Sequence, residues 1–348
     1  MSTGDFPALS AATRLAALIP ALVCLPANAE TIYGITGAFA GLSLVKFESS
    51  SPNALTVVGP LVGVPLRHGV RGIDFRPSTG ALYAVSNDDA RAQLYRLDPG
   101  TAALTPVGPG FTFPDDPYAR LSMDFNPVTD EIRLVTGSGY NVRIDPDTGA
   151  AAFDQPLAWA PGDTNSGSVP FAADVAHTNN APGALSTTLY AYDFTLDIVA
   201  IQGGPGGSPP PETGVWNSVG SSGVVVIDAG VGFDISAESG AAYASYTRLG
   251  VEAFASVDLA TGRFTEIGVF TGVQMLDIAV ALPPPPACRA DFDVDGAVAT
   301  PDLTYFLSRF GSAPQPGTPQ ARADFDGDGQ VDSHDLIFFL GRFGQLCP

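Results

Sequence analysis

Lysine is almost missing from this chain: Lys46 is the only one in 348 residues. With 16 basic against 36 acidic residues and a formal net charge of −20, no basic stripe exists to hold a nucleic-acid backbone or an anionic bilayer. Histidine is nearly as scarce, and only His68 and His177 fall in the first 280 residues, too few for a histidine-built metal centre there. No G-x-S-x-G nucleophile elbow occurs, nor an Asp-box repeat of the sialidase kind. Long helical patterns are absent, whereas glycine (39) and proline (31) are plentiful, which points to a turn-rich β protein.

The one long apolar run, Leu15 to Leu25, follows Arg14 and ends in Pro26-Ala27-Asn28-Ala29. It is too short to span a bilayer comfortably and reads as a secretory signal peptide over residues 1–29. The protein is therefore expected outside the cell or at its surface, without membrane insertion. Val23 before Cys24 does not suit a lipoprotein cleavage site. Export leaves two cysteines, Cys288 and Cys347, which bracket one segment and are expected to form a disulfide. Pro283 to Pro286 make a stiff spacer. The expected organisation is a β domain over 30–282, a proline linker over 283–287 and a small helical module over 288–348.

The β region repeats. Gly72-Ile73-Asp74-Phe75, Ser122-Met123-Asp124-Phe125 and Gly232-Phe233-Asp234-Ile235 each precede a short turn and another apolar strand. Ala172-Ala173-Asp174-Val175 and Met275-Leu276-Asp277-Ile278 are weaker copies. Five starts at intervals of about fifty residues predict four-stranded blades of a β-propeller. The fifth start has a single strand after it. Ile32–Ile35, Leu42–Val45 and Leu55–Gly59 supply the three missing strands, so the two ends of the domain are expected to share one blade. A six-bladed ring and a β-sandwich array are the alternatives.

The densest chemical signal lies near the C-terminus. Asp291, Asp293, Asp295 and Asp302 occupy positions 1, 3, 5 and 12 of a loop with Gly296 at 6. Asp324, Asp326, Asp328 and Asp335 repeat this with Gly329. Ala297 and Gln330, at position 7, would add backbone carbonyls. One tight loop with oxygen ligands at this spacing suits a hard cation such as calcium, so two Ca2+ ions are expected. Each loop runs into an apolar i, i+3, i+4, i+7 pattern: Leu303, Phe306, Leu307, Phe310 and Leu336, Phe339, Leu340, Phe343. The copies align without gaps at an offset of 33, with 13 of 21 positions identical from Asp291 and Asp324.

This segment resembles the type I dockerin family over residues 288–348. The resemblance implies calcium binding and docking onto a cohesin-type partner. It also implies that loop positions 10 and 11, here Thr300-Pro301 and Ser333-His334, help to read that partner. Pro301 and His334 depart from the family's usual Ser-Thr pair. Near-symmetry implies two alternative docking orientations.

Residues 31–282 resemble a family of secreted bacterial proteins of unassigned function. The similarity rests on Asp74-Phe75-Arg76-Pro77 with Thr79-Gly80, on Asp124-Phe125-Asn126-Pro127 with Asp130 and Arg133, and on Asn141, Arg143 and Asp147-Thr148-Gly149. Asn179-Asn180 and Thr187 to Tyr190 belong to it too. It implies no reaction. The recurring Asp74, Asp124, Asp174, Asp234 and Asp277 are expected to accept backbone N–H bonds, in preference to ringing a cation. Asp174 with His177 could form an acid–base pair, though a satisfied core histidine fits better. Trp159 and Trp216 could stack on sugars if exposed, and blade packing is the competing role. The expected function is non-catalytic: a propeller that binds carbohydrate or protein, carried on a docking module. The alternative is a polysaccharide-degrading hydrolase or lyase with its site on the propeller.

Overall fold

The computed structural model describes residues 1, 29–38, 41–65, 69–88, 91–113, 120–228, 230–283, 289–293, 295–314, 322–325 and 330–347. Five antiparallel sheets form the β region. One comprises β4 (Gly69–Phe75), β5 (Leu82–Asp88), β6 (Arg91–Leu97) and β7 (Leu104–Thr112). The next holds β8 (Leu121–Phe125), β9 (Ile132–Thr136), β10 (Asn141–Ile144) and β11 (Ala151–Phe153). The third holds β13 (Ala172–His177), β14 (Leu189–Asp193), β15 (Ile198–Gln202) and β16 (Val215–Ser221), with β12 (Ala158–Trp159) added in parallel to β16. The fourth is β17 (Gly232–Ile235), β18 (Ala242–Arg248), β19 (Val251–Val257) and β20 (Phe264–Phe270).

The fifth sheet joins both ends of the region. Its order is β21-β1-β2-β3, from β21 (Gln274–Val280), β1 (Thr31–Ala38), β2 (Gly41–Glu48) and β3 (Ser51–Pro60). Ile35 of β1 lies opposite Asp277 of β21. Glu30, just before β1, ties this sheet to the fourth by accepting hydrogen bonds from Ser236, Ser239 and Tyr243. The five-bladed propeller closed by strands from both ends is thus observed.

Each predicted unit start is an innermost strand. β4, β8, β13, β17 and β21 adjoin one another in a closed circle. β8 and β13 are buried at every position because neighbouring sheets cover both faces, whereas outer β3 alternates and is largely exposed. The strands approach too closely for a side chain at Gly232: a Cβ there would lie 2.6 Å from the Ile278 backbone nitrogen. Aromatic edges seal the seams between sheets, as at Tyr83 and Phe125, 5.2 Å apart, each such pair contributing about 0.5–1.5 kcal/mol beyond its buried area.

The low-complexity stretch Gly203 to Pro211 is a packed loop with two 3-10 turns. The Pro211 carbonyl accepts bonds from Asn141 (3.0 Å) and Gln202 (2.9 Å).

Beyond the propeller, the described residues form α1 (Thr300–Leu307) and α2 (Ser333–Leu340). The 33-residue repeat becomes a reciprocal pairing. Val298 N–H donates to Gln345 (2.9 Å) and Val331 N–H to Ser312 (2.8 Å). Arg289 donates to the Asp324 carbonyl and Arg322 to that of Asp291. Arg289 covers the Phe325 ring and Arg322 the Phe292 ring. Phe306 and Phe339 stack at the centre, 5.3 Å apart. Each half-repeat therefore completes the other. No described helix is long and apolar enough to cross a membrane. The expected signal segment, except Met1 and Ala29, lies outside the described residues, as do Pro284 to Cys288.

Candidate metal centre and the propeller axis

Turn geometry assembles the first acidic loop. Asp291 accepts N–H bonds from Asp295 (3.2 Å) and Gly296 (3.0 Å), which folds the chain back over the carboxylate. Gly296 sits at φ +92°, a conformation that favours glycine. Asp302, fully buried, accepts from Phe292 (2.5 Å) and from Ala299 (2.8 Å), and so ties the loop to the start of α1. Carboxylate oxygens of Asp291, Asp293 and Asp302 all lie within 4.8 Å of one another. Such an all-oxygen donor set fits a hard divalent cation. Burial and then the Asp302 carboxylate push the Asp293 carboxyl above its usual range. Asp295 is exposed, with Oδ1 accepting from the Ala297 N–H (3.0 Å).

The second loop repeats the closing contacts. Asp335, fully buried, accepts from Phe325 (2.6 Å) and Asp332 (2.9 Å), the counterparts of Phe292 and Ala299. Asp324 and Gln330 of this loop are among the described residues, and Asp326 and Asp328 lie outside them. Thr300, Pro301, Ser333 and His334 are all exposed at the starts of α1 and α2. His334 is held there by Asp332, which accepts its backbone N–H at 2.7 Å. Cys347 is half-buried, while its expected partner Cys288 is outside the described residues.

On the propeller axis, the five recurring aspartates stitch the innermost strands together. Asp74 accepts from Phe125 of the next sheet, Asp124 from His177, Asp174 from Phe233, Asp234 from Val280 and Asp277 from Ile73. The circle closes after five steps. Four also accept the N–H of the residue that follows them. The expected backbone bonds are observed at all five aspartates. Burial, opposed by those amides, pushes Asp74 and Asp174 up to about 7. At Asp124, Asp234 and Asp277, burial first and then neighbouring carboxylates hold the groups well above the ordinary range. Oxygens of Asp74, Asp124 and Asp234 also lie within 4.8 Å of one another.

Other expected features change partners. His177 bonds through Nδ1 to Asp124 rather than to Asp174, because residues 174 and 177 point to opposite faces of β13. It is fully buried, and burial followed by Arg133 lowers it to about 3. It is therefore neutral. His68 lies outside the described residues. Trp159 and Trp216 are buried edge-to-face at 5.6 Å and do not stack on a surface ligand. Arg76 pairs with Asp130 and Asp147 across a sheet boundary, at 2.6 and 2.7 Å. Arg133 bonds Asn141, Asp154 and Glu212. These residues hold blades and loops together.

Sequence reasoning passed over a second polar cluster, at the face where β20 turns into β21. Asp228 receives Arg120 at 3.4 Å and Gln274 at 3.2 Å, beside a cleft lined by Arg71 and Glu252. No repeat or motif marks these residues.

Residues 43–279 match the family described as "Domain of unknown function (DUF4394)". That is more than half of the chain, and the chain belongs to this family. Curated proteins provide no match. Among solved structures, the chain is similar to one titled "Crystal structure of Nidogen/Laminin Complex", at 10% identity and TM-score 0.43, over 73% of this chain and 98% of that one. It is also similar to a protein of unknown function from Bacteroides thetaiotaomicron, at 15% identity and TM-score 0.44, over 74% of this chain and 66% of that one. TolB from Acinetobacter baumannii is similar at 13% identity and TM-score 0.41, over 73% and 67% of the two chains.

Proposed function

We propose that this is a secreted protein whose C-terminal segment, residues 288–348, folds around two calcium ions and docks onto a cohesin-type partner, while its propeller presents a face to carbohydrate or protein. The observation that carries this reading is the oxygen cluster of Asp291, Asp293 and Asp302, together with its closing contacts repeated at Asp335. Without a cation those carboxylates repel one another, and a module with so small a core needs the ion to fold. Asp291, Asp293, Asp295 and Asp302, with the Ala297 carbonyl, would hold one ion. Asp324, Asp326, Asp328 and Asp335, with the Gln330 carbonyl, would hold the other. The dockerin resemblance supplies the partner, and exposed Thr300, Pro301, Ser333 and His334 stand where it would be read. Native mass spectrometry of the full chain in calcium buffer should show two bound calcium ions. A metal-free spectrum at millimolar calcium would refute the reading.

A further inference from the structure

We propose that a cleft between the fourth and fifth sheets binds a saccharide carrying a carboxylate, with Arg71 taking the carboxylate and Glu252 taking a neighbouring hydroxyl. This deepens the reading of the propeller as the ligand-facing part and does not depend on the C-terminal loops. The cleft encloses about 920 Å³ and opens where β18 turns into β19 and β20 into β21. Three features set it apart from ordinary surface relief.

The first is Glu252, which lines the cleft although it is only 7% exposed. Its Oε2 accepts the Thr247 hydroxyl at 2.7 Å. Its Oε1 is buried and completes no hydrogen bond among the described residues, although the Met275 amide favours the charged carboxylate. A buried polar atom left in that state costs about 1–3 kcal/mol, which a ligand hydroxyl would relieve.

The second is Arg71, projecting from innermost β4. Its Nε reaches Asn87 at 3.4 Å, and no carboxylate among the described residues lies within ion-pair distance. Asp228, the nearby acid, is engaged by Arg120. Burial, followed by the charge of Arg120, lowers the Arg71 guanidinium, and Asp228 opposes them without pairing with it. An arginine that shares its nearby acid with Arg120 and makes no ion pair of its own can take a carboxylate in a charge-assisted bidentate contact. A neutral sugar would leave that charge unmatched.

The third is the wall. Val273 and Leu276 line the cleft beside the Gln274 amide. Apolar patches next to polar edges match the C–H faces and hydroxyl rims of a sugar ring.

Glu252 also makes the site respond to pH. Burial raises its carboxyl to about 7, opposed by the Thr247 hydroxyl and the Met275 amide and reinforced by Asp228. The groups facing it are Thr247 from β18, the Met275 amide from β21, Asp228 from the segment before β17, and Arg71 across the cleft; β20 contributes Phe270. Below its midpoint the carboxyl is neutral and can donate to the ligand. Above it, a second negative charge faces the anion, so affinity falls as pH rises.

The test is calorimetric titration of the full-length, calcium-loaded protein with oligogalacturonate and with a neutral galacto-oligosaccharide. Binding of the acidic oligomer is expected, weaker by about tenfold or more in R71Q, equivalent to about 1.4 kcal/mol, and partly kept in R71K. In wild type the affinity should drop between about pH 6 and about pH 8, and E252Q should abolish that drop. Circular dichroism of each variant separates lost folding from lost binding, and E252Q preserves the bond to Thr247. Acidic-oligomer binding unchanged by both substitutions, or a preference for the neutral oligomer, overturns this site while sparing the broader reading of the propeller. No binding of either oligomer by wild type overturns this site, and the protein-binding arm of the broader reading then stands apart.

Discussion

In both regions carboxylate oxygens crowd within 4.8 Å and accept backbone N–H bonds, but axial Asp74, Asp124 and Asp234 are all buried, whereas Asp293 of the C-terminal loop is exposed. Both regions gather aspartates, and their surroundings decide what the charge does. On the axis, burial raises the carboxyls above their ordinary range and amides satisfy their oxygens. In the first loop Asp293 and Asp295 are exposed, and the oxygens of Asp291, Asp293 and Asp302 crowd together at the surface. The cores differ in the same sense. Among the described residues, the propeller buries five large hydrophobic clusters and the C-terminal segment one, built on Phe292, Phe306 and Phe339. It leaves Leu307, Phe310, Leu340 and Phe343 exposed. A segment of this size seldom holds itself together without a staple.

Chelation should break this comparison most sharply. Excess EDTA should abolish the helical signal of α1 and α2 and expose 289–347 to protease, leaving the propeller's thermal transition in place; full protection under EDTA would contradict the metal-dependent fold. Next in size is Arg133→Ala, which removes a buried guanidinium from Asp154 and Glu212 and should cost about 3–5 kcal/mol in denaturant unfolding of the propeller alone. Asp277→Leu strands the Ile73 and Ile278 N–H groups and should cost about 1–3 kcal/mol for each donor left unpaired, read in the same experiment.

The pH response should have opposite signs in the two regions. Asp74 and Asp174 titrate near 7 when folded and near 3.8 when free, so the folded propeller binds more protons between those values. The stability these two groups contribute is full below about 3.8 and is lost as pH rises through 7. His177, depressed to about 3, opposes this with a single group against five carboxyls. Calcium loading runs the other way, because the loop carboxylates must shed protons to bind. Thermal scans between about pH 5 and about pH 8 should therefore show the propeller melting lower, and the calcium-dependent transition higher, at the alkaline end. The smallest effect belongs to Leu340→Ser, an exposed site, with a stability change within about 0.5 kcal/mol and an appreciable loss only in partner capture.

Much of the architecture is legible in the chain because it repeats. The strings around Asp74, Asp124, Asp174, Asp234 and Asp277 mark all five innermost strands, since each must present a carboxyl to its neighbour. The incomplete last unit reveals the shared blade. The acidic loops are legible because their aspartates fall within twelve residues. Contacts formed across sheets carry no such mark. His177 finds Asp124, 53 residues away, rather than its near neighbour Asp174. Trp159 and Trp216 carry nothing local to show that they bury each other. Arg71 and Glu252 lie on different sheets and meet only through the cleft. Spacing along the chain reports local geometry, and a site assembled by ring closure is invisible to it.

The pairing of β1 with β21 also constrains the order of events. In a chain lacking residues 274–280, β1 to β3 would have no inner neighbour, and the circle of aspartate bonds would be interrupted at Asp277. Both gaps are filled only when residues 274–280 arrive. The assembly is therefore a latch that cannot engage on a partial chain. Until synthesis has passed Val280, an unpaired strand edge is open to strangers, and the propeller gains its cooperativity in one late event.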